Sequence, residues 1–288
     1  MVDLVLGTAQ LGQNYGVTNS IGRPNDVDAR LMLDIAENSG IFTLDTAGAY
    51  GDAEFRLGQL GYSERFQIIS KFNCVHGQSY DIYPHLHRLN LSSITGMLFH
   101  DASQIPSKTG RLNLEELRTF KNQGLVTKIG FSAYQINEIE EALKYFSDPD
   151  FIQIPGNALD FRILDSSIVK QLASQGVEVH VRSVFLQGLL LAHPVSISRG
   201  RHSFLTETLE RIGIESELSN QSVMQFLFNQ IRSHHSVSSI VIGASSAKEL
   251  SQIIKSWDLP TLDSSRISHD LDYEDLDPRK WVKPNIKC

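Results

Sequence analysis

Asp45, Tyr50, Lys71 and His100 are the residues in this sequence whose types and order suit chemistry. A free phenol has a pKa of about 10, too high to release its proton readily at neutral pH. An ammonium held against it stabilises the phenolate, so a lysine beside Tyr50 is expected to lower that pKa. A carboxylate paired with the ammonium keeps it charged and oriented after desolvation. Lys71 and Asp45 suit these two parts. Tyr50, five residues past the aspartate, suits the proton donor, and His100 suits a second donor to the same oxygen. Such a unit delivers a proton to a carbonyl oxygen. None of its members is a hydride source, so the reaction requires a nicotinamide cofactor.

These residues need a scaffold that brings distant parts of the chain to one place. Short β-branched and aromatic runs alternate with longer segments of helical period. Eight strands are expected: Leu4 to Ala9, Phe42 to Asp45, Phe66 to Ser70, Gly96 to His100, Lys128 to Ser132, Phe151 to Pro155, Glu178 to Ser183 and Ser239 to Gly243. Helices are expected to start at Asn25/Asp26, Asn113 and Ser245/Ser246, and to stop at Gly40, Gly124 and Gly176. Eight β-then-α units in a chain of this length match a single-domain (β/α)8 TIM barrel, an α/β fold. An open dinucleotide-binding sheet would carry G-x-G-x-x-G after its first strand; Gly7-Thr8-Ala9-Gln10-Leu11-Gly12 fails that pattern. The barrel is expected over residues 1–257. A long irregular loop follows strand seven, from Ala192 to Glu215. Residues 258–288 form an irregular acidic C-terminal tail packing on or near the barrel, not a separate domain.

Barrel enzymes build their sites at the carboxyl ends of the strands. There this sequence is polar. Asp45 closes strand two, Lys71 follows strand three, His100 closes strand four and Ser132 closes strand five. Gln153 lies in strand six, and Arg182 and Ser183 close strand seven. Any one of them has an ordinary structural reading as a cap, a solvated side chain or a satisfied core group. Six consecutive strand ends together favour a site.

Composition narrows the partners. The 288 residues are 41% hydrophobic and 20% charged, with a formal net charge of -7. The segment from Asp258 to Asp277 holds seven acids and one base, leaving the remainder nearly neutral. That balance argues against nucleic acid or an anionic membrane surface as partner. No apolar run approaches the ~18 residues of a membrane span, and the start lacks a signal peptide's order of regions, so a cytoplasmic protein is expected, as a monomer or small homo-oligomer. Cys74 and Cys288 are expected to be reduced thiols. His85/His87 and His234/His235 lack third ligands at sensible spacing; they are expected to be surface histidines, with no metal site.

The chain from Leu4 to about Ser256 resembles the aldo-keto reductase family. LDTAGAYGDAEFRLGQL, Leu44 to Leu60, is similar to that family's D-T-A-x-x-Y-G-x-x-E-x-x-L-G signature. IISKF and GMLFHD supply the matching Lys71 and His100. KIGFSAY, QIPGNALD, RSVFLQGLL and VIGASSAKEL resemble further family segments. The resemblance implies an NAD(P)H-dependent reductase of the alcohol dehydrogenase type, with Asp45, Tyr50, Lys71 and His100 as its catalytic tetrad and a small-molecule carbonyl as substrate. Thr8, Ala9 and Asp45 would lie at the cofactor, Ser132 and Gln153 would hold the nicotinamide carboxamide, and Arg182 would stand where an aromatic residue often stacks. Ser183, Phe185, Gln187 and Gly188 would follow the pyrophosphate. Gly243, Ala244, Ser245, Ser246 and Glu249 would meet the adenosine end, where a helix N-terminus suits phosphate.

Three departures stand out. Ala133 replaces a common asparagine. Arg182 can stack on a planar ring but repels an oxidised, cationic one. Gly243 and Glu249 occupy places where family members carry bases for the NADP 2'-phosphate, which points to NAD preference or dual specificity, with Lys248 as a possible replacement base. Candidate substrate contacts are Tyr50, His100, Gln10, Gln13, Tyr15, Asn157 and the loop carrying Arg199, Arg201 and His202, with a sugar derivative preferred over a purely apolar ketone. Two other readings stay open: a nucleotide-sensing regulatory or binding subunit on the same barrel, and a barrel enzyme using Lys71 as a Schiff-base amine.

Overall fold

Eight parallel strands close on themselves in sequence order, β1 pairing with both β2 and β8, in a computed structural model that describes residues 2–262 and 265–281. The strands are β1 (Asp3–Gly7), β2 (Thr43–Asp45), β3 (Gln67–Phe72), β4 (Ile94–Phe99), β5 (Val126–Ser132), β6 (Phe151–Pro155), β7 (Glu178–Arg182) and β8 (Ser239–Gly243). This is the (β/α)8 barrel of a single domain. Helices outside it bury apolar stripes at helical spacing. Asp26–Asn38 buries Ala29, Met32, Leu33 and Ala36, and Ala247–Trp257 buries Leu250, Ile253 and Ile254.

Side chains two apart on a strand share a face, and this period builds the site. Ile69, Leu98 and Phe151 form a small apolar cluster of their own. Two residues further along the same strands stand Lys71, His100 and Gln153, so a polar layer lies directly above an apolar one. Strand register levels that layer, with Gly7 opposite both Asp45 and Gly243, and Ser132 opposite Gln153.

Several boundaries differ from expectation. Lys71 lies within β3, not after it, because pairing with β4 carries the strand on through Lys71↔Leu98 and Phe72↔Phe99. His100 and Ser183 fall just past their strands, and Ala9 opens a short helical turn, Ala9–Gly12. Asn113 does not start a helix. It is buried inside Lys108–Asn122, accepting from the Tyr80 N–H at 2.9 Å, while Ser107 caps that helix. The loop after β7 is less irregular than expected: a short helix, Pro194–Ile197, precedes Thr206–Leu218, where Leu209 and Ile212 recur at helical spacing and are buried.

Beyond Trp257 the tail has little regular structure apart from a turn at Pro278–Lys280. It packs on the barrel all the same. Ile267 and Leu276 are buried, Arg266 pairs with Asp165, and the His269 ring nitrogen Nε2 lies 2.6 Å from the Leu159 carbonyl. The indole of Trp281 stacks edgewise on His202 at 4.9 Å. Cys288 lies outside the described residues.

Candidate active site

Tyr50 reaches the mouth on the loop after β2, and two glycines fix that loop. A Cβ on Gly12 would fall 1.8 Å from the Tyr50 carbonyl oxygen, and one on Gly51, whose φ is +59°, would fall 2.3 Å from the Gly12 oxygen. Only bare backbone permits so close an approach. The loop also continues pairing with β3, through Gly48 N–H to the Lys71 carbonyl at 3.0 Å.

Lys71 is fully buried. Its Nζ donates to Asp45 Oδ1 in a short ion pair, to the Thr46 carbonyl at 3.1 Å and to Tyr50 Oη at 3.4 Å. The other Asp45 oxygen accepts from Gln153 Nε2 at 2.7 Å. The His100 ring stands edge-on to Tyr50 with centroids 5.8 Å apart, and its buried Nδ1 has no hydrogen-bond partner among the described residues. Thus the four expected tetrad residues meet in one place.

Burial governs their protonation. It pushes Tyr50 far above the ordinary phenol range, the Asp45 carboxylate adds to this, and the Arg182 charge offsets it only partly. This differs from the expected lowering by Lys71: removal of water from the phenol dominates, and the Asp45 charge adds to it. Burial also lowers Lys71, against the opposing pull of Asp45. His100 drops to about 4 through burial and the nearby positive charges of Lys71 and Arg182, so it is neutral at pH 7. At neutral pH the arrangement therefore presents a protonated phenol and a neutral imidazole to whatever enters.

What enters uses a cavity of about 590 Å3 that runs from Asp45, Tyr50 and His100 to the start of the last helix. Of the expected cofactor residues, Ala9, Asp45, Ser132, Gln153, Arg182, Ser183, Phe185, Gln187, Gly188, Gly243, Ser245, Ser246 and Glu249 line it. Thr8 and Ala244 do not. Thr8 is fully buried and gives its hydroxyl to the Asp45 carbonyl at 3.1 Å, supporting the site from behind, and Ala244 is buried among apolar neighbours. Glu249 is already engaged: its carboxylate accepts from Ser245 N–H at 2.7 Å while Ser246 Oγ accepts from Glu249 N–H, a reciprocal cap of the last helix.

The loop after β7 is wound unusually. Ser183, Leu186 and Gln187 have φ of 66°, 48° and 56°, and Gly188 follows at 89°. Left-handed backbone at non-glycine residues costs about 1–3 kcal/mol each and persists where packing enforces it, often at ligand sites. Buried Leu186, Leu189 and Leu190 do the enforcing. Gly188 lets the loop meet Thr18, whose hydroxyl donates to the Gln187 carbonyl at 3.3 Å; a Cβ there would lie 2.0 Å from Thr18 Oγ1.

Among the expected substrate contacts, Gln10 and Tyr15 line the cavity, and the Gln10 amide lies against Gly243. Asn157 does not line it. It is buried, its Oδ1 accepts from Leu159 N–H at 2.9 Å in a local turn, and it borders a separate cavity of about 300 Å3 under the tail. Arg199, Arg201 and His202 are likewise not among the lining residues, and His202 is covered by Trp281. His85 is no surface histidine: it is buried against Glu54. No group of three His, Cys, Asp or Glu side chains among the described residues could hold a metal ion. Tyr134 and Pro278 also line the cavity, beyond the residues that the sequence points to. Tyr134 sits at the end of the KIGFSAY run, where an aromatic past a strand end was the available signal. Nothing local marks Pro278.

A barrel with an Asp-Lys-Tyr-His cluster at its mouth belongs to the class of carbonyl-handling oxidoreductases. The aldo/keto reductase family model matches residues 3–269, and the chain belongs to that family, whose members are oxidoreductases using NAD(P)H on small carbonyl compounds. It is 25% identical over 160 residues to D-arabinose 1-dehydrogenase of Saccharomyces cerevisiae, a stretch covering 50% of this chain and 46% of that protein. Two solved structures share the fold. An aldo-keto reductase of Bacillus halodurans in its holo form has a TM-score of 0.72 at 19% identity, with 93% of this chain and 94% of that one covered. The glycerol dehydrogenase of Gluconobacter oxydans has a TM-score of 0.68 at 18% identity, covering 89% and 86%. No helix among the described residues is long and apolar enough to cross a membrane.

Proposed function

We propose that this protein is an NAD(P)-dependent oxidoreductase interconverting a small carbonyl compound and its alcohol, with Tyr50 as the proton donor. The observation that carries this reading is the Lys71 ammonium, shared among Asp45, the Thr46 carbonyl and the Tyr50 hydroxyl at the floor of a cavity. The bound nicotinamide would supply the hydride. The protein residues do the rest. Tyr50, protonated at neutral pH, gives its proton to the carbonyl oxygen, and Lys71 stabilises the phenolate left behind. Asp45 and Gln153 hold Lys71 in place. His100, neutral and lining the cavity beside Tyr50, orients the carbonyl.

The residues present suit the cofactor. The cavity is elongated, with amide and hydroxyl groups of Gln153 and Ser132 at one end, the left-handed β7 loop along it and a capped helix N-terminus at the other. Glu249 is occupied by the helix cap and Lys248 lies exposed on the same rim, so neither cofactor is strongly selected and dual specificity is expected. The names of the relatives, a sugar dehydrogenase and a polyol dehydrogenase, agree with a hydroxylated substrate. Lys71 is a poor Schiff-base amine, since its donors are committed to three partners.

Purified Tyr50→Phe and parent protein, assayed with NADH and NADPH over a panel of aldehydes and sugars, test this. Turnover should fall about 10^3-fold in the variant while nicotinamide fluorescence quenching persists. Unchanged turnover would end the proton-donor assignment. A parent that binds cofactor yet turns over nothing would instead be the nucleotide sensor, and a large NADPH advantage would overturn dual specificity.

A further inference from the structure

Arg182 is the charged group at this mouth that the proton-delivery unit does not use. It ends β7, lines the cavity with Tyr50 and His100, and is partly buried. One guanidinium nitrogen, Nη2, donates to Ser132 Oγ at 3.4 Å and to the Ala133 carbonyl at 3.2 Å. Its other nitrogens make no hydrogen bond, and no carboxylate is within ion-pairing distance, among the described residues. The guanidinium is nevertheless held. It lies 3.9 Å from the centre of the Tyr134 ring, and Arg279 of the tail lies 4.0 Å from the same centre. Both guanidinium groups therefore pack on the Tyr134 ring. Arg279 is committed to Asp277 and Glu138, and Glu138 also accepts from the Tyr134 N–H at 2.6 Å. The tail thus braces Tyr134, and Tyr134 braces Arg182.

Charge bookkeeping then singles out Arg182. Asp45 and Lys71 cancel as a pair, and the neutral imidazole of His100 adds nothing at pH 7. At the helix end, Lys248 and Glu249 offset one another. The tetrad end of the cavity is left with one uncompensated positive charge, presented as a fork of free N–H donors on a pre-oriented plane. That geometry matches carboxylate or phosphate oxygens, which a guanidinium binds in pairs.

We propose that Arg182 determines substrate specificity by holding an anionic group, a carboxylate or phosphate ester, on the carbonyl substrate. This rests on the oxidoreductase reading and deepens it. The anionic group takes no part in bond making. Arg182 anchors it, which fixes where the carbonyl oxygen falls relative to Tyr50.

The test uses two matched pairs of aldehydes: succinic semialdehyde against its methyl ester, and glyceraldehyde phosphate against glyceraldehyde. The readout is the anionic-to-neutral ratio of kcat/KM in the parent, Arg182→Gln and Arg182→Lys, with cofactor Kd measured by fluorescence quenching. A charge-assisted hydrogen bond predicts a ratio of about tenfold to hundredfold for at least one pair in the parent. That ratio should collapse in Arg182→Gln and be partly kept in Arg182→Lys, which preserves the charge and guards against a folding defect. The carboxylate or the phosphate is assigned by whichever pair responds. A parent ratio near one for both pairs overturns the proposal while leaving the oxidoreductase intact. So does a ratio that survives both substitutions while cofactor Kd rises, which would make Arg182 a cofactor residue. If bound cofactor supports turnover of none of the four aldehydes, the oxidoreductase reading falls together with this one.

Discussion

Ser70 and Lys71 are neighbours on β3, yet they serve two buried polar clusters of opposite character. Lys71 points into the barrel mouth; Ser70 points outward to the helices. Behind the strand, Glu54 accepts from Ser70, from His85 Nδ1 at 2.7 Å and from Arg88 at 2.8 Å. Burial alone would raise the pKa of Glu54, but these donors hold the carboxyl below its ordinary value. Glu54 is saturated, and no atom of it is left over for chemistry. In front of the strand, the ion pair is equally buried, but the Tyr50 contact is long, the His100 Nδ1 is orphaned and the ensemble faces a cavity. A serine, a histidine and a carboxylate in contact therefore make a structural tie here. Incomplete satisfaction, not residue type, distinguishes the candidate site.

The sharpest way to break this contrast is Lys71→Met, which should lower kcat about 10^3-fold or more; comparable turnover would show that the front cluster is as structural as the back one. Glu54→Gln should do the reverse. It weakens a saturated buried network, costing about 3 kcal/mol in denaturant unfolding while kcat per folded molecule stays within about threefold. A loss of kcat without loss of stability would merge the clusters.

Acid stability separates them by pH window. His100 is depressed to about 4 from an ordinary 6.5, so the unfolded chain binds the extra proton between those values. Its contribution is present above pH 6.5 and is lost as pH falls towards 4, up to roughly 3 kcal/mol. Glu54, whose folded pKa is lowered from 4.5, loses its contribution only below that value. Unfolding measured at pH 7, 5 and 4 should show the first step flattened in His100→Gln and kept in Glu54→Gln. The smallest effect is expected outside both clusters: Arg279→Ala, removing two partly exposed ion pairs, should cost no more than about 1 kcal/mol in the same assay.

Much of this was legible in the sequence because the signals are periodic or local. Strand and helix alternation marks the barrel, and β6 and β8 have the bounds their residues suggest. Polar residues closing apolar strands mark the mouth, so Asp45, Tyr50, Lys71 and His100 could be gathered before any contact was seen. What stayed hidden depends on tertiary pairing. β3 runs through Lys71 because β4 lies beside it, and Asn113 resembles a helix cap until a turn at Tyr80 is seen to claim its side chain. Pro278 reaches the cavity rim from far along the chain, and Asn157 turns away because its local turn takes its oxygen. Burial also reversed the expected direction of the Tyr50 shift, since sequence names the charges near a phenol but not the water removed from it.

The docked tail provides an optical handle. The chain has two tryptophans. Trp257 is set between Phe228 and Arg232, whereas Trp281 rests on His202 with its indole N–H donating to the Asp275 carbonyl at 2.9 Å. Trp257→Phe would leave a single emitter a few residues from Pro278 on the cavity rim. Its emission wavelength and its quenching by His202 would then report, in real time and without any label, whether the tail is seated at the cavity rim while ligands come and go.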